Sequence, residues 1–249
     1  MFYRVIAGSF KDKKNAEDMI VKLKKEGINA FLMPFEEEKK ESDKSVGQQK
    51  SKQYSYKNLN IIETTADNIK IALLNDTLKG HNGINGTFFW AGSTIGIAIN
   101  EGKRIQANSH VAYDVDSIPR GTIFYKNGKM YIDRIWDIRP YNPDWAISGV
   151  MLYPDFSPKI EGFYGKYSDV LRATFHTAIG FRGNKIYLIT TKNANLTVDQ
   201  FRISMLNSNI AFDGLINLDG GGSTQMSYNG KNINVSSRPV VSAVLLKEI

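Results

Sequence analysis

The sequence predicts an α+β protein: a mainly antiparallel sheet core with a few helices, preceded by a small β-α-β unit. Three observations carry this. Nine runs rich in β-branched or aromatic residues lie between Asn60 and Leu246. Two of the intervals between them, Asn127-Gly128 and Arg182-Gly183-Asn184, hold the residues that close tight antiparallel hairpins. Only a few segments show the 3.6-residue apolar repeat of a helix.

The first unit spans residues 1–33. Phe2 to Ala7 reads as a short strand that Gly8-Ser9 interrupts. From Lys13 to Glu26, Ala16, Met19, Ile20 and Leu23 recur at i, i+3, i+4 and i+7, the spacing of one buried helical face. Asp12 can cap its start and Gly27 its end, and Ile28 to Met33 follows as a second strand. So short a unit buries too little surface to stand alone, so it must lean on something. Pro34 closes it, and residues 34–57 read as a flexible linker, polar and charge-mixed, with a solvated helix over Phe35 to Lys44 as the alternative.

Residues 58–249 form the large domain. Its expected strands are Asn60–Thr64, Ile69–Leu74, Thr122–Tyr125, Lys129–Ile135, Thr177–Phe181, Lys185–Thr190, Ile216–Leu218, Gln225–Tyr228 and Val240–Leu246. Thr197 and Gln200 have the spacing of a capping box, and Phe201, Met205 and Ile210 supply the helical face behind it. Ser168 to Ala173 is a second, shorter helical stretch.

Composition narrows the function classes. The chain has 249 residues, 42% hydrophobic, which suits a large domain with an appendage. It has no cysteine, which removes disulfides, thiolate metal sites and cysteine nucleophiles. The net charge is +7, and Lys plus Arg exceed Asp plus Glu by 13 to 9 in residues 1–60 against 19 to 16 in the rest. That excess fits an anionic partner or plain solubility. No basic stripe with interleaved aromatics points to nucleic acid, and no apolar run approaches the roughly 20 residues of a membrane span. The first residues carry no secretory leader, so the sequence as given leaves the location open.

Three segments can carry chemistry. Asn217-Leu218-Asp219-Gly220-Gly221-Gly222-Ser223-Thr224 delivers an aspartate at a strand end. The amides of Gly220, Gly221 and Gly222 could then cradle an anion, with Ser223 and Thr224 adding hydroxyls. The plainer alternative is a β-turn whose aspartate accepts turn hydrogen bonds, but three consecutive glycines exceed what a turn requires. Gly83 to Phe89 contains Asn85-Gly86, by itself a turn signal. His176-Thr177 opens a strand; with His81 and His110 scattered elsewhere, the three histidines make no zinc pattern. Arg238 precedes the last strand.

Together and in order, these segments resemble the phosphodiester glycosidase family, over roughly residues 58–249. The family pattern is matched by Asn85 to Phe89, Ser148-Gly149, His176 to Gly180, Asn217 to Ser223 and Arg238. One position departs: His176 stands where the family has arginine, replacing a guanidinium by a group charged only near or below about pH 6.5. Arg172 lies four residues upstream. Residues 1–33 resemble half of a sporulation-related repeat (SPOR) domain, on Tyr3 to Phe10, Asn15-Ala16-Glu17 and Leu23 to Ala30.

The resemblance implies a hydrolase that breaks a sugar 1-phosphodiester at the anomeric carbon, with a glycan of the cell-wall type as substrate. A SPOR half implies binding to peptidoglycan glycan strands, and its missing partner half implies pairing with a second copy through residues 1–33 or docking on the large domain. Asp219 and His176 are the expected catalytic groups. Asn85, Thr177, Gly220, Gly221, Gly222, Ser223, Thr224 and Arg238 are the expected substrate ligands, and Phe89 or Trp90 could stack on a sugar. No cofactor is required, although Asp219 could hold a divalent metal. Glu101, Asp114, Asp133 and Glu161 are all open as a second carboxylate. The competing reading is a non-catalytic glycan-binding protein on the same scaffold. A wall or extracellular setting follows from the implied function alone.

Overall fold

A computed structural model describes residues 13–26, 50–107, 109–112 and 118–249. The chain divides into two compact units, Met1–Gly47 and Gln48–Ile249. In the first, the expected helix forms over Lys13–Lys25. The two strands expected beside it, Phe2 to Ala7 and Ile28 to Met33, lie outside the described residues, as do Asp12 and Gly27. The expected linker is corrected at its end: Lys52–Tyr56 is a strand paired with Leu59–Thr65. Tyr54 and Tyr56 pack against the core, so these alternating aromatics outweigh the polar composition around them.

The second unit is dominated by two antiparallel sheets. The larger has ten strands, running through Lys52–Tyr56, Leu59–Thr65, Lys185–Thr191, Thr177–Arg182, Gly214–Asn217, Trp145–Tyr153, Ala98–Asn100 and Lys103–Arg104. The hairpin Arg120–Lys126 and Lys129–Ile135 adds to it along Trp145–Tyr153. The smaller sheet runs Lys231–Asn234, Met226–Tyr228, Gly83–Asn85, Val240–Leu246 and Ile69–Asp76.

Period-two alternation sorts the side chains of the large sheet. Ile62, Ile179, Leu188 and Ile216 enter a core shared with Ile71, Ile84, Met226 and Val244 of the small sheet. Their neighbours Ile61, Ala178, Ile189 and Leu215 point to the other face. There the helix Val198–Leu206 covers them with Phe201 and Met205. Thr197 and Gln200 exchange both hydrogen bonds of the capping box. Asn127 and Gly128 take φ of 51° and 77°, which only a turn with two left-handed residues accepts. The second helical stretch is a 3₁₀ helix at Gly165–Leu171.

The strand Trp145–Tyr153 organises the large sheet. Its first half pairs with both Ala98–Asn100 and Arg120–Lys126, its second with Gly214–Asn217. Gly149 sits where the last of these approaches, and a Cβ there would stand 2.1 Å from the Asn217 carbonyl oxygen. Backbone held in a ladder cannot retreat from such a contact. Gly149→Ala is therefore expected to cost about 3 kcal/mol or more, read as a lower urea midpoint with an unchanged slope; an unshifted midpoint would show that the sheet has slack here.

Candidate active site

The segment Leu218 to Gln225 carries the chain from the large sheet, at Gly214–Asn217, to the small one, at Met226–Tyr228. It is pinned at each step. The Leu218 amide donates to the Thr177 carbonyl at 2.8 Å, and that of Asp219 to the Gly86 carbonyl at 3.2 Å. The Asn85 side chain, fully buried, ties three segments together. Its Nδ2 donates to the Asp219 carbonyl at 2.7 Å; its Oδ1 accepts from the Thr177 hydroxyl at 2.8 Å and the Gln225 amide at 3.0 Å.

The glycines then make the turn. Gly220 is extended and passes so near strand-side backbone that a Cβ would stand 2.8 Å from the Phe175 carbonyl oxygen. Gly221 is left-handed, with φ of 60°. The amides divide differently from a three-amide cradle. That of Gly220 donates to the Asp219 carboxylate at 3.0 Å, and that of Gly221 to the Phe175 carbonyl at 2.8 Å. The Ser223 and Thr224 amides close the 3₁₀ turn onto Gly220 and Gly221. Among the described residues, Gly222 alone in this run keeps an amide without a protein acceptor, and it is exposed.

Asp219 ends up half-buried beneath this turn. Burial raises its carboxyl to about 6, against the pull of the Ser223 hydroxyl, the Gly220 amide and the Arg238 charge. Arg238 is exposed, and its guanidinium lies over Gly222, 3.5 Å from the position a Cβ would take. Its backbone is braced: Gln225 Nε2 donates to the Arg238 carbonyl at 2.9 Å, and the Arg238 amide donates to Ser236 Oγ at 3.0 Å. Ser236 Oγ in turn donates to the Gly222 carbonyl at 2.5 Å. A carboxyl poised near neutrality, a cation and an open amide thus converge on one turn. Neither Gln225 nor Ser236 stood out in the sequence; the only signal for Gln225 was its place directly after Ser223-Thr224.

His176 reaches the turn but faces inward. Its ring is fully buried and stacks on Phe201, centroids 5.3 Å apart at 16°. Nε2 lies 2.7 Å from the Leu196 carbonyl and so carries the proton. Burial pushes the imidazole below its ordinary value, leaving it neutral. His176, expected as a catalytic group in place of the family arginine, is thus covered by the aromatic face of the helix. Thr177 is likewise buried, with Thr224 Oγ1 3.4 Å from its hydroxyl. Ser148 Oγ accepts from the Ile97 amide at 2.7 Å.

Of the open carboxylates, Glu161 is wholly buried. It pairs with Arg134 Nε at 2.7 Å and accepts from the Met151 and Gly121 amides at 2.9 and 3.3 Å. That set holds the Pro158–Phe163 turn onto the sheet. Glu101 and Asp133 are exposed, and Asp114 lies outside the described residues. Among the described residues no three His, Asp or Glu side chains gather as a metal set.

Comparison with known proteins agrees with this architecture. The family model for phosphodiester glycosidase matches residues 80–247, and that for the SPOR domain residues 2–41. No curated protein sequence matches significantly. Among solved structures, the catalytic domain of zebrafish N-acetylglucosamine-1-phosphodiester alpha-N-acetylglucosaminidase, auto-inhibited by its pro-peptide, superposes with a TM-score of 0.60 at 16% identity, over 80% of this chain and 82% of that one. A protein from Burkholderia pseudomallei K96243 gives a TM-score of 0.50 at 13% identity, over 76% and 73% of the two chains. With two thirds of its length matched by the family model and a shared fold, the chain belongs to the phosphodiester glycosidase family and carries a SPOR domain at its N-terminus.

Proposed function

We propose that the chain hydrolyses a sugar 1-phosphodiester in a cell-wall-type glycan, to which the SPOR domain directs it through peptidoglycan strands. The observation that carries this is the exposed guanidinium of Arg238 lying over Gly222 on the turn that holds Asp219, whose carboxyl feels its charge and is raised by burial to about 6. Water attacks the anomeric carbon as the bond from that carbon to the phosphate oxygen breaks. The phosphate monoester departs with the bonding electrons. It is a good leaving group and needs charge stabilisation more than a proton, which Arg238 and the Gly222 amide provide. Ionised Asp219 takes the proton from the attacking water and faces the positive charge growing on the sugar ring.

The remaining residues position these groups. Asn85 and Thr177 hold the Asp219 backbone, and neutral His176 packs beneath Gly220. An N-acetylglucosamine-type sugar is the natural first substrate to test, because the zebrafish relative is named for that sugar.

Folded Asp219→Asn is expected to release sugar from a glycosyl-1-phosphodiester about 100-fold or more slowly than wild type, with or without a chelator. Wild-type kcat/KM should rise with pH, level off above about 6 and follow the ionised form of Asp219. Release at the wild-type rate by the variant removes Asp219 from the chemistry; no release by wild type favours the glycan-binding alternative.

The same carboxyl makes a stability prediction whose sign is fixed. Its folded value, about 6, lies above the ordinary 3.8, so folding favours the protonated form. Relative to Asp219→Asn, wild type should lose stability as pH rises from about 4 to about 6, and the gap should stay constant above. Parallel melting temperatures across that window would show that the carboxyl is not desolvated.

A further inference from the structure

A tight hairpin follows the Asn85–Thr87 segment. Phe89–Trp90 pairs with Ser93–Thr94 around Ala91 and Gly92, whose φ angles are 49° and 76°. Gln106 clamps it from outside: its Nε2 donates to the Gly92 carbonyl at 2.7 Å, and its Oε1 accepts from the Thr94 amide at 2.9 Å. Held this way, Trp90 is 77% exposed. The residues that follow it at the tip, Ala91, Gly92 and Ser93, are small.

Phe88, two residues before Trp90, contacts Phe163 with centroids 5.5 Å apart, which fixes the base of the hairpin. The hairpin follows directly on the segment that meets the Asp219 turn. Gly86 accepts the Asp219 amide, and the Thr87 hydroxyl donates to the Ser148 carbonyl at 2.8 Å. Rigidly supported aromatic faces next to a glycosidase site suit a pyranose, which lays its C–H face on the ring while its hydroxyls stay in water. A protein partner would call for a continuous apolar surface, which the small residues at the hairpin tip do not provide.

We propose that Trp90 is an accessory platform on which a further pyranose of the glycan stacks, so that the substrate extends beyond the sugar–phosphate unit being cleaved. This rests on the reading of Asp219 above. Trp90, Trp136 and Trp145 are the only tryptophans, all in the 48–249 unit, and Trp145 is buried. Tryptophan emission in the full chain therefore comes from this unit and not from the SPOR domain, and the difference between wild type and Trp90→Phe separates Trp90 from Trp136, which is 37% exposed.

A soluble chitin oligosaccharide should lower iodide quenching of wild-type emission roughly twofold and leave Trp90→Phe unchanged. Unaltered quenching in wild type overturns the platform, as does self-association that W90F abolishes, since a second copy would then cover the indole. With phosphodiester substrates, W90A should raise KM roughly tenfold for one carrying the oligosaccharide and leave one carrying a single sugar unaffected. Equal effects on both substrates also overturn it. If wild type cleaves neither substrate while the oligosaccharide still shields Trp90, the reading of Asp219 fails and the platform stands.

Discussion

One buried carboxamide holds the Asp219 end of the domain together. Asn85 belongs to the small sheet, Thr177 to the large one, and Asp219 and Gln225 to the two ends of the crossing between them. Removing that side chain would leave the Asp219 carbonyl and the Gln225 amide without this partner and the Thr177 hydroxyl with only Thr224 Oγ1 at 3.4 Å, at about 1–3 kcal/mol for each buried group left unsatisfied. Few other side chains could serve. The position needs a donor and a double acceptor in one plane, on a short stem, which an aspartate cannot supply without burying a charge.

The same crossing explains the glycines. The chain must leave one sheet, pass within contact distance of the Phe175 carbonyl and turn through a left-handed residue before it joins the other. Most of its amides are spent in doing so. Two consequences follow for the chemistry. The Asp219 carboxyl receives one amide from its own turn, too little to offset its burial, and so stays near 6. In the proposed reaction the anion-facing work falls to the Gly222 amide and to Arg238, whose backbone Gln225 and Ser236 brace.

Much of the fold was legible. Lys129–Ile135 and Val240–Leu246 form as strands at the expected residues, because period-two alternation or an unbroken β-branched run leaves few alternatives. The turn at Asn127-Gly128 and the cap at Thr197 were readable because each depends only on neighbours in sequence. The central strand Trp145–Tyr153 was missed for the opposite reason. It is buried on both faces, so it lacks alternation, and Ser148-Gly149 interrupts its apolar run. Gly83–Asn85 and Ala98–Asn100 are three residues each, too short to show a period. At the site, the sequence indicated which segments meet but not which way they face. The burial of Asn85 and His176 depends on a sheet and a helix contributed by distant parts of the chain.

The electrostatics of the site are asymmetric in a way that bears on its use. In the free protein, Arg238 draws the Asp219 carboxyl down while burial pushes it up. A bound phosphodiester would occupy Arg238 and bring its own negative charge, so both changes raise the carboxyl further. Asp219 in the complex is then a stronger base than in the free protein, at the cost of a smaller ionised fraction. Departure of the phosphate monoester reverses both changes, returning the carboxyl toward its free value. In the proposed reaction the cation that holds the phosphate therefore also sets the basicity of the carboxylate that takes the proton from the attacking water.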